Sequence, residues 1–397
     1  MTDGDSPKIE DAPTPGLFEA WQLPEGSDSD ERAESAARKN VPWWGWVLLG
    51  FSILLTAVVI AGFVIRVDYF TIAPGEAVTL NGLVKIDGAK SFPDKRGDIK
   101  LLFVRERNHV NLWRYLQAKL GSDIDLYKEE QLNPDNKSQT QLNNQAIQQM
   151  ADAKTAATKV ALESAGFKVG QAPGLTVSDL ITGFPAEKVL ELGDVILSAN
   201  GSKITRSQTL GDIVTKLKAG DKVTLEIERD GKKQTVEVPV RVDPQSGRTL
   251  IGVFASPRFE FPVSVDVDTS SIGGPSAGLA MSLAILDDLT PGNLTGGKHV
   301  AVTGTIDPDG RVGEIGGISQ KAVAARAAGA QLFLVPQCTS DNADALQSCK
   351  ADLARATERA GKNVKVIPVA TMADALRALR ANGGEAVEQV GASDRAA

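Results

Sequence analysis

Hydrophobic and polar residues follow three different patterns along this 397-residue chain. Residues 41–65 carry no charge and are almost entirely apolar, which predicts one long helix without a polar face. Short alternating segments between residues 66 and 107, and again between 166 and 242, predict strands bounded by glycine turns. From about residue 258 onward, strand patterns alternate with helical ones. The chain is therefore expected to be a multidomain α/β (α+β) protein with an N-terminal apolar helix.

The apolar run at residues 41–65 is long enough to cross the ~30 Å hydrocarbon core of a membrane as a helix. Trp43, Trp44 and Trp46 cluster near its start, and such rings favour the headgroup region. A buried core helix and a cleaved signal peptide are the alternatives. The run is longer than a signal-peptide core and lacks a clear cleavage site. We therefore expect one transmembrane helix.

Basic residues around this helix predict its orientation. Arg32, Arg38 and Lys39 precede the helix, whereas Arg66 stands nearly alone after it. The cytoplasmic flank of a membrane helix carries the excess of Lys and Arg. We expect a single-pass protein of the cell membrane, with its N-terminus in the cytoplasm and the bulk of the chain outside it.

Charge and composition restrict the partners and the ordered part of the chain. The formal net charge is −7, and no cluster of Lys and Arg stands out, which argues against a nucleic-acid partner. Residues 1–40 are acidic and contain several Pro, Gly and Ser, so we expect a disordered cytoplasmic tail. A second disordered tail is expected over residues 381–397.

Residues 66–165 are predicted to form a membrane-proximal β/helical region. Its strands end near residue 107 and suggest a small separate sheet. A polar segment without proline, from about 137 to 165, predicts a helix that ends at Gly166 and connects to the next domain.

The next region, residues 166–245, has short strands, glycine turns and a hairpin at Asp230-Gly231. Within it, GFPAEKVLELGDVILSANGSKI resembles the PDZ family, in which a short helix precedes a GDxI strand and an xNG turn. The resemblance implies a domain that adds a peptide to a sheet edge and holds its terminal carboxylate on loop N–H groups. The candidate loop contains Gly166, Phe167 and Gly170. An ordinary glycine-rich turn is the alternative.

Residues 270–289, SSIGGPSAGLAMSLAILDDL, begin a helix at a serine. Pro275 suits the first helical position, so the N–H groups beside Ser276 lie at the positive end of the helix. Such an end stabilises a developing oxyanion next to an attacking hydroxyl. A serine at this position also serves as a simple helix cap. The stretch alone leaves both roles open.

A nucleophilic serine needs a base, and histidine is scarce in this chain. The histidines are His109 and His299, and nothing next to His299 suggests an orienting carboxylate, although Asp287 and Asp288 are near in sequence. A Ser-His-Asp triad is therefore disfavoured.

Lys321, in GGISQKAVAARAAG, is the alternative base. If Ser319 caps this helix, Lys321 lies in the first turn, where the helix dipole disfavours a cation. Apolar neighbours add desolvation, and both effects lower a lysine pKa toward the range of a general base. A solvated surface lysine is the competing interpretation.

The two stretches together are more specific than either alone. GPSAG is followed 45 residues after its serine by the lysine of GGxxxKxxAAxxAG, with VTGTI between them. This combination resembles the proteolytic domain of the Lon family. The resemblance implies a Ser/Lys protease domain over residues 250–380, with Ser276 as the nucleophile and Lys321 as the base. Thr303 is then the partner of the lysine amine, and the supporting residues around the serine are Gly274, Pro275 and Ala277.

The chain departs from this family at one position, because ATP-dependent Lon proteins usually have an acidic residue where Gly273 stands. The glycine-rich GNLTGGKH lacks the Ser or Thr that would bind magnesium in a phosphate-binding loop, so no ATP is expected. Anchor, PDZ domain and Lon-type domain, in this order, resemble the bacterial membrane-anchored Lon-like proteases of peptidase family S16.

This resemblance implies an ATP-independent serine endopeptidase with protein or peptide substrates and no cofactor. It also implies homo-oligomers, because Lon-type domains commonly form rings. A non-catalytic PDZ adaptor, or a chaperone, with a protease-like assembly domain is the alternative.

Cys338 and Cys349 fall on the side of the helix that is predicted to lie outside the cytoplasm. A non-reducing compartment permits a disulfide between them. Two unpaired thiols are the alternative, since spacing alone does not bring the sulfurs together. No metal site is expected, because the histidines show no ligand spacing to these cysteines.

Overall fold

The computed structural model describes residues 42–93, 95–107, 110–121, 123–128, 137–204, 207–244, 247–268 and 274–388. The predicted tail at residues 1–40 lies outside this part of the chain, as do His109, Gly273 and residues 389–397. The helices are α1 (Trp43–Val64), α2 (Leu112–Leu120), α3 (Gln139–Ser164), α4 (Ser207–Val214), α5 (Gly278–Leu289), α6 (Ile318–Ala327), α7 (Ala343–Ala360) and α8 (Met372–Ala381).

The strands fall into groups along the chain. The first are β1 (Tyr69–Thr79), β2 (Val84–Asp87), β3 (Asp98–Arg107) and β4 (Asp125–Lys128). A second group consists of β5 (Gly170–Leu180), β6 (Val195–Ala199), β7 (Ser202–Lys203), β8 (Lys222–Arg229), β9 (Lys232–Pro239), β10 (Arg241–Val242), β11 (Thr249–Leu250) and β12 (Val253–Glu260). The last are β13 (Ser264–Val267), β14 (His299–Val302), β15 (Thr305–Ile306), β16 (Val312–Gly313), β17 (Leu332–Pro336) and β18 (Lys365–Val369).

Helix α1 matches the apolar run of the sequence. In the described part of the chain it is the one helix that is long and apolar enough to cross a membrane.

A six-stranded mixed sheet, in the order β18-β17-β14-β3-β1-β4, organises the C-terminal domain. Strands β3, β14, β17 and β18 are parallel, and β1 and β4 are antiparallel to their neighbours. Side chains alternate between the two faces, as the pleat requires. Val300 and Val302 pack with α3 and α5, whereas Ala301 and Phe333 pack with α6 and α7. Each face is thus covered by helices.

The strands of the region predicted to be membrane-proximal are part of this sheet. The sequence suggests a separate sheet over residues 66–107, but β3 pairs in parallel with β14, with Ala301 opposite Lys100. Helix α3 also packs into the same core through Ala157 and Ala161 instead of serving only as a connector. Pairing between segments so distant in sequence leaves no trace in local periodicity, so the sequence could not place these elements.

The second sheet has the order β12-β5-β6-β8-β9, with β7 paired to β6. The predicted PDZ region ends at residue 245, whereas β12 lies beyond that boundary and pairs with β5. Strand β12 therefore belongs to this sheet and not, as its sequence position suggested, to the domain that follows.

The predicted strand over residues 299–306 is interrupted in the structure. Strand β14 ends at Val302, and the chain turns at Gly304, whose φ of 140° favours glycine. The following Thr305–Ile306 pairs with β16 instead of continuing the sheet. Thr303 thus lies at the carboxyl end of a parallel strand, next to the start of α5.

Candidate active site

Ser276 lies in a single 3₁₀ turn, Pro275–Ala277, that runs directly into α5. The turn follows Gly274, whose φ of 90° and ψ of 157° are strained for any residue with a Cβ. The carbonyl oxygen of Ser276 accepts a hydrogen bond from the backbone N–H of Gly304 at 3.0 Å. In return, the N–H of Leu279 donates to the carbonyl of Gly304 at 3.1 Å. These two bonds fix the serine against the end of β14.

Lys321 lies in the first turn of α6, but the helix begins differently from the prediction. Gly317, in the left-handed conformation with φ 69°, precedes the first helical residue, Ile318. Ser319 is inside the helix and does not cap it; its hydroxyl donates to Gln320 and accepts from Arg359. A left-handed residue is needed at this sharp entry, and Ser319 comes two residues later, inside the helix.

The structure brings the three predicted polar residues together. The amine Nζ of Lys321 is 2.8 Å from Ser276 Oγ and 2.9 Å from Thr303 Oγ1. Lys321 is 2% exposed and Thr303 is fully buried. Thr303 Oγ1 also lies 3.4 Å from the carbonyl oxygen of Ser276. The threonine therefore orients both the amine and the turn that carries the serine.

Burial determines the charge state of this amine. Loss of solvation lowers the pKa of Lys321 from its ordinary value of 10.5 to about 7, and the charge of Glu106 opposes the change. Apolar neighbours such as Ile318 and Ala322 exclude water from its surroundings. A substantial fraction of the amine is thus neutral near pH 7, as a proton acceptor must be.

The backbone N–H groups beside Ser276 differ in their availability. Pro275 has no N–H, and the N–H of Gly274 donates to the carbonyl of Ala146 in α3 at 3.2 Å. Ser276 and Ala277 follow Pro275 in the turn, at the helix start where backbone N–H groups lack helical partners. Within the described residues, these two N–H groups are the best placed of the predicted supporting set to contact a developing oxyanion.

His299 occupies the opposite end of β14 from the serine. Its Nδ1 lies 3.0 Å from Asp98 Oδ1 on β3, in an exposed position. His299 begins β14, whereas the Thr303–Gly304 turn follows the strand, and a four-residue strand spans ~13 Å. Asp287, the nearby carboxylate in sequence, is paired with Lys95. These placements do not assemble a Ser-His-Asp triad.

The predicted peptide-binding loop at Gly166, Phe167 and Gly170 is not a groove. Phe167 is 6% exposed and packs in the core cluster with α3 and α5. Gly170 begins β5 and is paired with Glu260 of β12. The expectation was wrong because the aromatic ring completes a hydrophobic core, where a peptide cannot reach it.

The structure shows a different groove on this domain, between α4 and the segment that leads into β12. This cavity of 220 Å³ is lined by Leu210, Gly211 and Val214 of α4 and by residues 248–255. Strand β12 is at the edge of its sheet, with β5 on one side. A groove between an edge strand and a helix suits an added peptide strand. The amphipathic TLGDIVTKL and apolar TLIGVF were the sequence signals that could have located it.

Cys338 and Cys349 form a disulfide, with Cα atoms 5.8 Å apart. The bond ties α7, which contains Cys349, to the segment that follows β17. The cysteines lie outside the Ser276 and Lys321 contacts described above.

Comparisons with known proteins agree with the two folded regions. Residues 140–240 match the PDZ domain family model, and residues 262–379 match the model of the Lon protease (S16) C-terminal proteolytic domain. The chain therefore carries a PDZ domain and a Lon-type proteolytic domain.

Similar proteins divide between the same two regions. A probable periplasmic serine endoprotease DegP-like of Pseudomonas savastanoi pv. phaseolicola is 40% identical over 85 residues, 21% of this chain and 18% of that protein. The Lon protease of Clostridioides difficile is 33% identical over 112 residues, 28% of this chain and 13% of that protein. The chain thus spans less than a fifth of the length of these relatives. The PDZ domain of the SdrC-like protein of Listeria monocytogenes is 26% identical, covering 21% of this chain and 86% of that one, with a TM-score of 0.20.

Proposed function

We propose that this chain, which carries a PDZ domain and a Lon-type proteolytic domain, is a membrane-anchored serine endopeptidase with a Ser276–Lys321 dyad. The observation that supports this most directly is the 2.8 Å contact between the buried Lys321 amine and Ser276 Oγ. Lys321 forms no ion pair with any carboxylate that the structure describes, and a lysine buried in this way is costly in a purely structural role. A general base must accept a proton, and the neutral form of Lys321 that burial favours can do so.

The proposed reaction is an acyl transfer in two halves. Neutral Lys321 takes the proton of the Ser276 hydroxyl as Oγ attacks the peptide carbonyl carbon, and the carbonyl oxygen becomes an oxyanion. The N–H groups of Ser276 and Ala277 at the helix start stabilise that charge. The protonated amine then donates to the leaving nitrogen, and the acyl-enzyme forms. A water, deprotonated by Lys321, releases the carboxylate product and regenerates the serine.

Thr303 is proposed as a positioning residue for the base. Its hydroxyl contacts the Lys321 amine at 2.9 Å, which keeps Nζ directed toward the serine. Of the remaining predicted residues, Gly274 and Pro275 set the backbone of the turn.

The PDZ domain is proposed to capture the C-terminal segment of a protein or peptide substrate. The groove between α4 and β12 supports this role, because its walls include the apolar side chains of Leu210 and Val214. The chemistry of the dyad consumes no nucleotide, so we propose turnover without ATP.

We further propose that α1 anchors the protein in the cell membrane, with the N-terminus in the cytoplasm and both folded domains outside it. The Arg32, Arg38 and Lys39 flank supports this orientation. A cysteine-accessibility experiment in intact cells, with single cysteines placed before and after α1 in a chain lacking Cys338 and Cys349, tests it. Labelling of the N-terminal cysteine from outside would reverse the assignment.

The catalytic proposal is tested with the full chain in detergent micelles and an unfolded protein substrate such as reduced casein, without added nucleotide. Ser276→Ala and Lys321→Ala should each abolish cleavage while the circular dichroism spectrum is retained. Lys298→Ala, at a solvent-accessible lysine outside the dyad, is the matched control and should retain full activity. Full turnover by either dyad variant would overturn the proposal and favour a non-catalytic PDZ adaptor.

A serine-directed covalent probe separates the enzyme from the adaptor independently of substrate choice. Labelling should require both Ser276 and Lys321, because a serine with an ordinary hydroxyl pKa reacts slowly. Equal labelling of the wild type and of Lys321→Ala would show that the serine is not activated.

A further inference from the structure

A second cavity lies next to the dyad, between the two folded domains. It has a volume of 460 Å³ and runs between α3, β12 and the segment after β14. Pro275, the residue before Ser276, forms part of its wall, as does Thr305 on the opposite side of the Gly304 turn. The cleft therefore reaches the residue that directly precedes the serine.

Strand β12 connects this cleft with the PDZ groove. Phe254, which is 57% exposed, lines both cavities. Val253 lies in the groove, whereas Ser256, Pro257 and Phe259 line the cleft further along the same strand. One edge strand thus leads from the groove toward the serine.

The groove also favours one direction of a bound peptide. Its end that precedes β12 contains Gly252, with a φ of 84°, and Arg248. Backbone N–H groups at a glycine turn favour a terminal carboxylate at that end. A peptide antiparallel to β12, with its C-terminus at Gly252, extends its upstream residues toward Pro257. Those residues then enter the cleft whose wall includes Pro275, next to Ser276.

We propose that one extended substrate polypeptide occupies both cavities, with its C-terminus in the PDZ groove and its upstream segment in the cleft at Ser276. This inference rests on the proposed protease function and deepens it, because it makes the enzyme measure its cleavage site from the free C-terminus of the substrate. Paired strands advance by the same ~3.4 Å per residue, so the Val253–Pro257 stretch accommodates about five substrate residues. The scissile bond therefore lies more than about five residues from the C-terminus.

The cleft also indicates the chemistry of the segment it receives. Asp152, on α3, lines it and accepts hydrogen bonds from Ser256 Oγ at 3.0 Å and Gln148 Nε2 at 3.1 Å. Two other carboxylates of the cleft have cationic partners: Asp179 pairs with Lys137, and Asp307 with Arg311. Among the residues that the structure describes, Asp152 forms no ion pair with Lys or Arg. A substrate segment with Lys or Arg beside Asp152 supplies a cationic partner for this carboxylate.

The inference is tested with the full chain in detergent micelles and synthetic peptides of one sequence, lengthened at the C-terminus by single residues. Mass spectrometry identifies the bond that is cut. We expect the cut to move with the C-terminus and to keep a constant distance from it. Amidation of the C-terminus should reduce kcat/KM about tenfold or more and scatter the cuts.

Gly211 offers a matched pair of variants for the groove. It lies within α4 and lines the groove, and a Cβ added there meets no atom within 4 Å. Gly211→Trp should fill the groove and abolish the dependence on the C-terminus. Gly211→Ala should leave that dependence intact, because a methyl group adds little volume and alanine suits a helix.

Asp152→Asn provides the second arm. Replacing a Lys in the cleft-bound segment of the peptide by norleucine should slow cleavage by the wild type about tenfold but leave the Asn variant unaffected. Ser276-dependent cuts that ignore the C-terminus and are unchanged by Gly211→Trp would overturn this inference and leave the protease function standing. No Ser276-dependent cleavage of any peptide would overturn the protease function itself, and this inference with it.

Discussion

The pH dependence of cleavage follows from the buried state of Lys321. Only the neutral amine can take the proton of Ser276, so the rate depends on the fraction of chains in which Lys321 is unprotonated. The pKa of about 7 places this titration within the range in which proteins stay folded. Activity should therefore rise through neutral pH and then level off.

The size of the rise follows from the same value. With a pKa of about 7, the neutral fraction is about one tenth at pH 6, about half at pH 7 and about nine tenths at pH 8. We expect kcat/KM for a fluorogenic peptide to increase about tenfold between pH 6 and 8, with a slope approaching one on the acid side. An ordinary solvated lysine, with a pKa of 10.5, would still be rising above pH 9.

Glu106 provides the perturbation that identifies the titrating group. Its negative charge favours the ammonium form and raises the pKa of Lys321. Glu106→Gln should shift the acid limb of the kcat/KM profile to lower pH, whereas Glu76→Gln, another exposed glutamate on a neighbouring strand, should leave it in place. A profile without an acid limb near neutrality, or one that moves equally in both variants, would refute the assignment of Lys321 as the base.

Four further outcomes are expected. Lys321→Met should abolish cleavage yet raise the free energy of unfolding by roughly 2–4 kcal/mol at pH 6. The lowering of the Lys321 pKa from 10.5 to about 7 corresponds to a destabilisation of about 5 kcal/mol in the wild type, which the Met variant avoids. The loss of two hydrogen bonds offsets part of this gain. Because folding lowers the pKa of Lys321, the gain in stability of the Met variant is complete below pH 7 and disappears as the pH rises toward 10.5. Denaturant titrations that give an equal gain at all pH values would contradict this explanation. Thr303→Val should lower kcat/KM roughly tenfold and move the acid limb of its pH profile, and an unchanged profile would count against positioning. Cys349→Ser should lower the free energy of unfolding by about 3 kcal/mol, because the disulfide closes a short loop. At temperatures at which the variant stays folded, its kcat/KM should match that of the wild type. A fragment of residues 250–380 lacks β1 and β3, so it should show no near-ultraviolet circular dichroism signal of a folded protein. A cooperative unfolding transition of this fragment would contradict the conclusion that these strands complete its sheet.

The sequence predicted element types well where periodicity is local. The apolar helix, the strands β17 and β18 and the last helix all coincide with their patterns. It could not place β1 and β3 beside β14, because sheet partners so distant in sequence are chosen by the assembled core and not by their own periodicity. The same limit misassigned β12, whose partner β5 precedes it by a whole domain.

For the candidate site, in contrast, the sequence predicted which residues lie together. Ser276 and Lys321 were proposed from short glycine-rich stretches and Thr303 from the resemblance to the Lon proteolytic domain, and the structure places their polar atoms within hydrogen-bond distance. Their backbone requirements are local, so they leave marks in the sequence. Phe167 was misjudged, because a phenylalanine between glycines looks the same whether it lines a groove or fills a core. Asp152 left no sequence signal at all, since its surroundings come from three separate elements.

The buried amine of Lys321 connects helix α6 with strands β1 and β3. Helix α6 packs on β1 and β3, where a Cβ at Gly317 would lie 2.9 Å from Val104 and 3.5 Å from Ile72. Strands β1 and β3 thus cover one side of α6, and burial of the Lys321 amine lowers its pKa. Without β1 and β3, Lys321 would be solvated, and its ammonium form would prevail at neutral pH. Under the proposed mechanism, strands β1 and β3 therefore help to make Lys321 a base, and the proposed chemistry depends on segments outside those that carry its sequence motifs.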